Sequence, residues 1–125
     1  MTVTVKPIET IDAYEGENAI EGIRFRPAAA ALGVTAWGMN VLELDAGCEG
    51  YPEHDHKEDG QEEVYVVLRG SMTLVADKTE HRASAGSLVR VSPEHTRKIV
   101  PGDEGVTVLA IGATPGKAYE PPKWA

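Results

Sequence analysis

The stretch His54–Gly70, HDHKEDGQEEVYVVLRG, divides into two halves of opposite character. Val64 to Leu68 (VYVVL) is a short, nearly continuous apolar run that stops at Arg69-Gly70, the pattern of a buried strand ending in a turn. Before it come two histidines one residue apart and a polar segment, KEDGQ. Working outward, Met72 to Ala76 (MTLVA) follows after a single serine, and Asp77-Lys78 marks the next turn. Upstream, Thr35 to Leu44 (TAWGMNVLEL) alternates well enough for a half-buried strand. Downstream, Leu88 to Val91, Arg97 to Val100 and Val106 to Ile111 are separated by glycine, proline and acidic residues. Short strands about 8–12 residues apart with turn signals between them predict an all-β sandwich or barrel. The one helical candidate is Pro27 to Leu32 (PAAAAL), with proline in first position and Gly33 as a stop. The tail after Gly116, KAYEPPKWA, holds a Pro-Pro pair and is expected to run extended across the surface or onto a partner.

Composition narrows the function classes. The 125 residues carry a formal charge of −8. Seven carboxylates between Glu49 and Glu63 face one lysine, Lys57, so six of those eight charges sit in fifteen residues. Such a chain is repelled by nucleic acid phosphates and by anionic membranes, and neither is expected as a partner. An apolar content of 42% suits a globular protein, and the length suits one domain, 1–125, with its own core. Cys48 is the single cysteine, which leaves no intramolecular disulfide and is compatible with a reducing cytoplasm. The segment MTVTVKPIETIDAYEG has neither a basic nor an apolar signal-peptide region, and no apolar stretch approaches the roughly 18 residues of a membrane span. A cytoplasmic location is the expectation.

The histidine pair carries the chemistry. On extended backbone, residues i and i+2 point the same way, so His54 and His56 project together and offer two imidazoles to a first-row divalent metal. A nearby carboxylate would complete a two-His, one-carboxylate face with positions left open. Glu58, Asp59, Glu62 and Glu63 compete for that role by distance. Glu63 is favoured because it enters the VYVVL strand, which fixes its direction; Tyr65 and Val67 then point the same way and give the site an apolar wall. The competing reading is a solvated acidic loop. At an effective dielectric of about 20, like charges 4 Å apart repel by about 4 kcal/mol, so clustered carboxylates need separation, protonation or a cation.

The line His54-x-His56, six residues, Glu63, six residues, Gly70 resembles the first motif of the cupins, small jelly-roll barrels of two β-sheets. Glu62 to Gly70 is similar to the cupin E-x-x-Y-V-L-x-G strand. Gly86 to His95 (GSLVRVSPEH) resembles the second motif in degraded form. The two motifs lie at about 47–70 and 86–100 of one small conserved-barrel domain of the type-2 kind. The resemblance implies a double-stranded β-helix holding one divalent transition metal (iron, manganese, nickel or zinc) on His54, His56, Glu63 and a second-motif histidine, here His95. Three departures stand out. The loop between His56 and Glu63 is longer than the pattern's, Cys48 replaces an expected glycine, and counting from Gly86 puts Arg97 at the last ligand position. An arginine cannot ligate a metal. Arg97 is instead expected to hold an anionic substrate or pair with Glu63, with Tyr65 and Trp37 as further substrate contacts or as core aromatics.

Two functions follow. One is a metal-dependent cupin enzyme, a dioxygenase or isomerase of a small organic molecule. The other is a non-catalytic small-molecule-binding barrel whose metal site is relaxed or lost. Cupins often dimerise, so a homodimer is expected, with 1–25 and 119–125 as the available segments.

Overall fold

In the computed structural model, which describes residues 2–122, nearly all regular structure is antiparallel β. Chain order gives β1 (Ile23–Arg26), a short helix α1 (Ala28–Leu32), β2 (Gly38–Leu44), β3 (Glu62–Ala76), β4 (Thr79–Ser84), β5 (Leu88–Val91) and β6 (Arg97–Ala113). Hydrogen bonding runs β1-β2-β6-β3-β4, with β5 also paired to β3. The all-β, jelly-roll expectation holds.

Two strands expected from sequence fuse into one on each side of a corner. VYVVL and MTLVA are both part of β3, and Arg97–Val100 and Val106–Ile111 are both part of β6. The pairing persists because the corner bulges instead of breaking. Register shifts fall between Val67 and Arg69 and between Gly70 and Met72. At the second, Ser71 faces four residues of β6, 102–105. Gly70 (φ +73°) and Gly105 (φ +78°) allow this turn; a Cβ on Gly70 would stand 2.2 Å from the Gly105 carbonyl oxygen.

The bulges also exchange the faces. Tyr65 and Val67 point inward at odd numbers, whereas Met72 and Leu74 do so at even ones. On β6, Ile99 is inward before the corner and Val106, Val108 and Ala110 after it. An inserted residue reverses the side-chain alternation, and here that keeps both halves of each strand facing one core. That core joins Leu42, Leu44, Tyr65, Val67, Met72, Leu74, Ile99 and Val108, with Phe25 and Ile23 packed at its edge.

α1 is close to its expected place, with Pro27 before it and Gly33 (φ +81°) closing it in a left-handed cap. Ala28 and Val41 pack with Ile11 on the outside of the sheet, so β2 buries side chains on both faces. Among the described residues, no helix is long and apolar enough to cross a membrane.

Candidate metal centre and cavity

Glu63 opens β3 between Gly112 of β6 and Val91 of β5, a central position that fixes its side chain inward. His54 reaches the same place by pairing its backbone with Arg97: His54 N–H donates to the Arg97 carbonyl at 3.1 Å, and the reverse bond is 2.8 Å. His56 N–H donates to the Pro93 carbonyl. The acidic loop is built, not merely solvated. Asp55 accepts from Lys57 N–H and Asp59 from Gln61 N–H, the side-chain turns that aspartate favours, while Thr114 Oγ1 donates to the Asp59 carbonyl.

One ligand atom each from His54, His56 and Glu63 lies within 4.8 Å of the others. Nε2 of His56 is 3.3 Å from Glu63 Oε1, and Nε2 of His54 is 4.0 Å from it. Metal–nitrogen and metal–oxygen bonds of about 2.0–2.2 Å in tetrahedral arrangement separate ligands by about 3.4 Å, so one distance already fits and the other needs a small contraction. The histidines' other nitrogens decide which atoms are offered. His54 Nδ1 lies 2.9 Å from the Pro52 carbonyl, which can only accept, so Nδ1 carries the proton and Nε2 has the lone pair. His56 Nδ1 lies 3.2 Å from both Asp59 carboxylate oxygens and is held in the same way. His56 Nε2 is buried and forms no hydrogen bond, its approach to Glu63 being poorly directed. A buried orphan nitrogen turned toward a second imidazole and a carboxylate fits a divalent ion.

The neighbours tune these groups. Burial alone would raise the Glu63 carboxyl, but His56, the Tyr65 hydroxyl and Arg97 together hold it below the usual carboxylate value. The adjacent Glu63 carboxylate raises the His56 imidazole against the effect of burial, with help from Asp59. Tyr65 Oη donates to Glu63 Oε1 at 2.9 Å and has Tyr51 Oη 3.4 Å away. Burial pushes Tyr51 up to about 12 and Tyr65 well above its ordinary value, so both remain neutral donors at physiological pH.

The other expected site residues stand differently. Arg97 is wholly buried, and each guanidinium nitrogen is engaged: Nη1 with Glu63 Oε1 at 2.6 Å, Nη2 with the Ser92 carbonyl, Nε with the His95 carbonyl. It pairs with Glu63 and presents nothing to a ligand. His95 is outside the three-residue group; its ring turns away to Asp77 and is 45% exposed, because its backbone sits in the turn before β6 and not on the strand. Trp37 is exposed and does not line the cavity, preceding β2 at its outer end. Tyr65 does line it. Asp59 competed for a ligand role on spacing alone; its bond to His56 Nδ1, three residues back in the same loop, depends on a turn geometry that the spacing could not assign.

Beside this group lies a cavity of about 690 Å³, walled by Phe25, Ile23, Leu42 and Tyr51 and lined further by Tyr14, Asn18, Ala19 and Ile20 and by Tyr119, Glu120 and Pro122. No family model matches the chain, and no curated protein is significantly similar to it. Solved structures do match. A sugar phosphate isomerase from a cupin superfamily, from Silicibacter pomeroyi DSS-3, superposes with a TM-score of 0.73 at 22% identity over 88% of this chain and 75% of its own. A Cupin 2 conserved barrel domain protein from Salinispora arenicola gives 0.72 at 19% identity over 92% of each chain. The chain has the cupin fold. A predicted oxalate decarboxylase from Thermotoga maritima adds a third cupin-like neighbour, with a TM-score of 0.68 at 18% identity over 89% of this chain and 99% of its own. In the cupin frame, Arg97 occupies the strand position directly opposite His54, where the motif counts its last ligand.

Proposed function

We propose that the protein is a metal-binding cupin that holds one divalent transition metal on His54, His56 and Glu63 and acts on a small organic molecule in the adjoining cavity. The observation that carries this reading is the pair of histidines with both Nδ1 atoms engaged and both Nε2 atoms turned toward Glu63. When bound, such an ion supplies Lewis acidity and open positions to a substrate oxygen. The chain's own residues do the rest. Asp59 and the Pro52 carbonyl keep the imidazoles in the ligating tautomer. Arg97 and Tyr65 fix Glu63 and balance its charge. Tyr65 gives its single proton to Glu63 and Tyr51 gives its own to Tyr65, a chain that steadies the carboxylate, and apolar side chains wall the cavity beside it. Isomerisation and oxygenation both suit a site of this kind.

A second reading rests on the 2.6 Å Arg97–Glu63 pair: a non-catalytic barrel in which the guanidinium replaces the ion as the partner of Glu63. Elemental analysis of untagged protein, supplemented with iron, manganese, nickel and zinc, separates the two. The metal reading expects about one ion per chain, lost in the His54→Ala, His56→Ala double variant. Persistently low metal content favours the second reading, and full occupancy in the double variant shows that the ligands are elsewhere. Arg97→Met sharpens the contrast. Removing one partner of a buried ion pair costs about 3–5 kcal/mol; the metal reading expects added ion to restore part of that loss, the second expects no restoration. The expected homodimer is checked in the same samples by light scattering.

A further inference from the structure

Away from the proposed metal group, the cavity wall has a chemistry of its own. Of the described residues lining it, none is lysine or arginine, while Asp59, Glu63 and Glu120 are acidic. The nearest cation of the core, Arg97, has no exposed surface, and its three nitrogens are all committed within the protein. Beside His54 and His56 of the proposed metal group, the other polar lining groups are neutral amides, Asn18, Asn40 and Gln61, and tyrosine hydroxyls. Facing them is an apolar wall of Ile20, Ile23, Phe25 and Leu42. Tyr119 and Pro122 add apolar and aromatic surface from the C-terminal segment, beside Glu120. Tyr119 lies against Gly38 so closely that a Cβ there would be 2.6 Å from its hydroxyl.

Resting on the metal-cupin reading above, we propose that the cavity takes a neutral molecule with a largely apolar body and one oxygen-bearing head, and that sugar phosphates and small dicarboxylates are not its substrates. A phosphate group is usually clamped by arginine or lysine; among the described lining residues neither is present, so beyond the ion and the two imidazoles it would find only neutral amides and the carboxylates Asp59 and Glu120. A dicarboxylate the size of oxalate would occupy a fraction of the 690 Å³ and leave water against Phe25 and Leu42. A neutral apolar body buries that wall, while the amides and the ion's open positions orient its head. The neighbours that are a sugar phosphate isomerase and a predicted oxalate decarboxylase therefore share the barrel but not the ligand class.

N-phenyl-1-naphthylamine, a neutral probe that fluoresces in apolar surroundings, tests this with the full chain, both chelator-treated and metal-supplemented. Saturable one-to-one uptake is expected in both forms. Ile20→Asp, at a half-buried position in the cavity lining, should weaken it roughly tenfold or more by placing a charge in the apolar wall. Gly38→Ala, which forces the Tyr119 ring aside, should weaken it as well, and circular dichroism should show both variants folded. Absence of saturable uptake, equal affinity in Ile20→Asp, or displacement of the probe by micromolar glucose 6-phosphate or oxalate would each overturn the proposal. Metal content measured on the same samples keeps the two readings apart. Uptake by protein that takes up no ion even on supplementation defeats only the metal centre, and bound metal with no uptake in either form defeats only the neutral-ligand cavity.

Discussion

Glu43 shows what a single side chain contributes away from the site. Its Oε1 accepts from Nε of both Arg24 and Arg26, each at 2.9 Å, tying β1 to β2. Burial would raise this carboxyl, but the two arginine bonds outweigh it and hold the group below its ordinary value. A carboxylate with a depressed folded pKa stabilises fully above its unfolded value, near 4.5, and loses that contribution as pH falls through the folded value. Glu43→Gln should therefore cost about 1.5–3 kcal/mol at pH 7, a typical range for hydrogen bonds to charged groups, and progressively less as pH falls below the unfolded value and through the folded one. Urea melts of both proteins across that range would show it; a constant difference at all pH values would contradict the assignment. At this scale the sequence was partly readable. His54, His56 and Glu63 converge as their spacing and strand entry predict, since all depend on local backbone direction. His95 and Arg97 were not assignable, because two residues of turn or strand decide which one faces the core.

Among the elements, the long strands β3 and β6 and the corner they share determine the barrel. The sequence marks the corner plainly, with Arg69-Gly70 on one strand and Pro101 to Gly105 on the other. It does not show that pairing continues around it, because that depends on Gly70 and Gly105 meeting across the sheet. Alanine at Gly70 would combine a left-handed backbone, costing about 1–2 kcal/mol, with a 2.2 Å approach to a carbonyl oxygen that cannot move without its strand. Gly70→Ala should lower unfolding free energy by more than about 2 kcal/mol in denaturant titration, whereas Gly86→Ala, whose Cβ would meet nothing within 4 Å, should cost only the backbone part. Equal losses in the two variants would show that the corner contact is not what holds the strands together.

For the molecule as a whole, the charge of −8 resolves into distinct uses. Glu63 is inside the barrel with Arg97, Asp59 orients His56, Asp55 caps a turn, and Glu62 pairs with Arg90 on the surface. The proposed ligands come from β3 and from the segment whose His54 bridges to Arg97 of β6, so an ion there pins the loop between His56 and Glu63 to the folded sheet. An ion that binds only the folded state stabilises it by mass action, by about 4 kcal/mol at a thousand times its Kd. Scanning calorimetry of ion-loaded protein should accordingly show a Tm several degrees higher than after chelation, and His54→Ala, His56→Ala should erase the difference. An unchanged Tm on loading would count against the metal centre.

The sequence by itself determined the strand-rich architecture, the turn positions and the trio of candidate ligands, because these follow from apolar runs, glycine and proline placement, and side-chain alternation over a few residues. Only the tertiary structure decided that Asp59 steadies His56, that Arg97 is consumed by Glu63 and that no lysine or arginine stands among the cavity's described walls. The Arg97–Glu63 pair joins residues 34 apart, and the Asp59–His56 contact, though only three residues long, is one of several turns the polar loop could make until the strands on either side fix its ends. Their geometry exists only once the bulged corners have brought the strands into register.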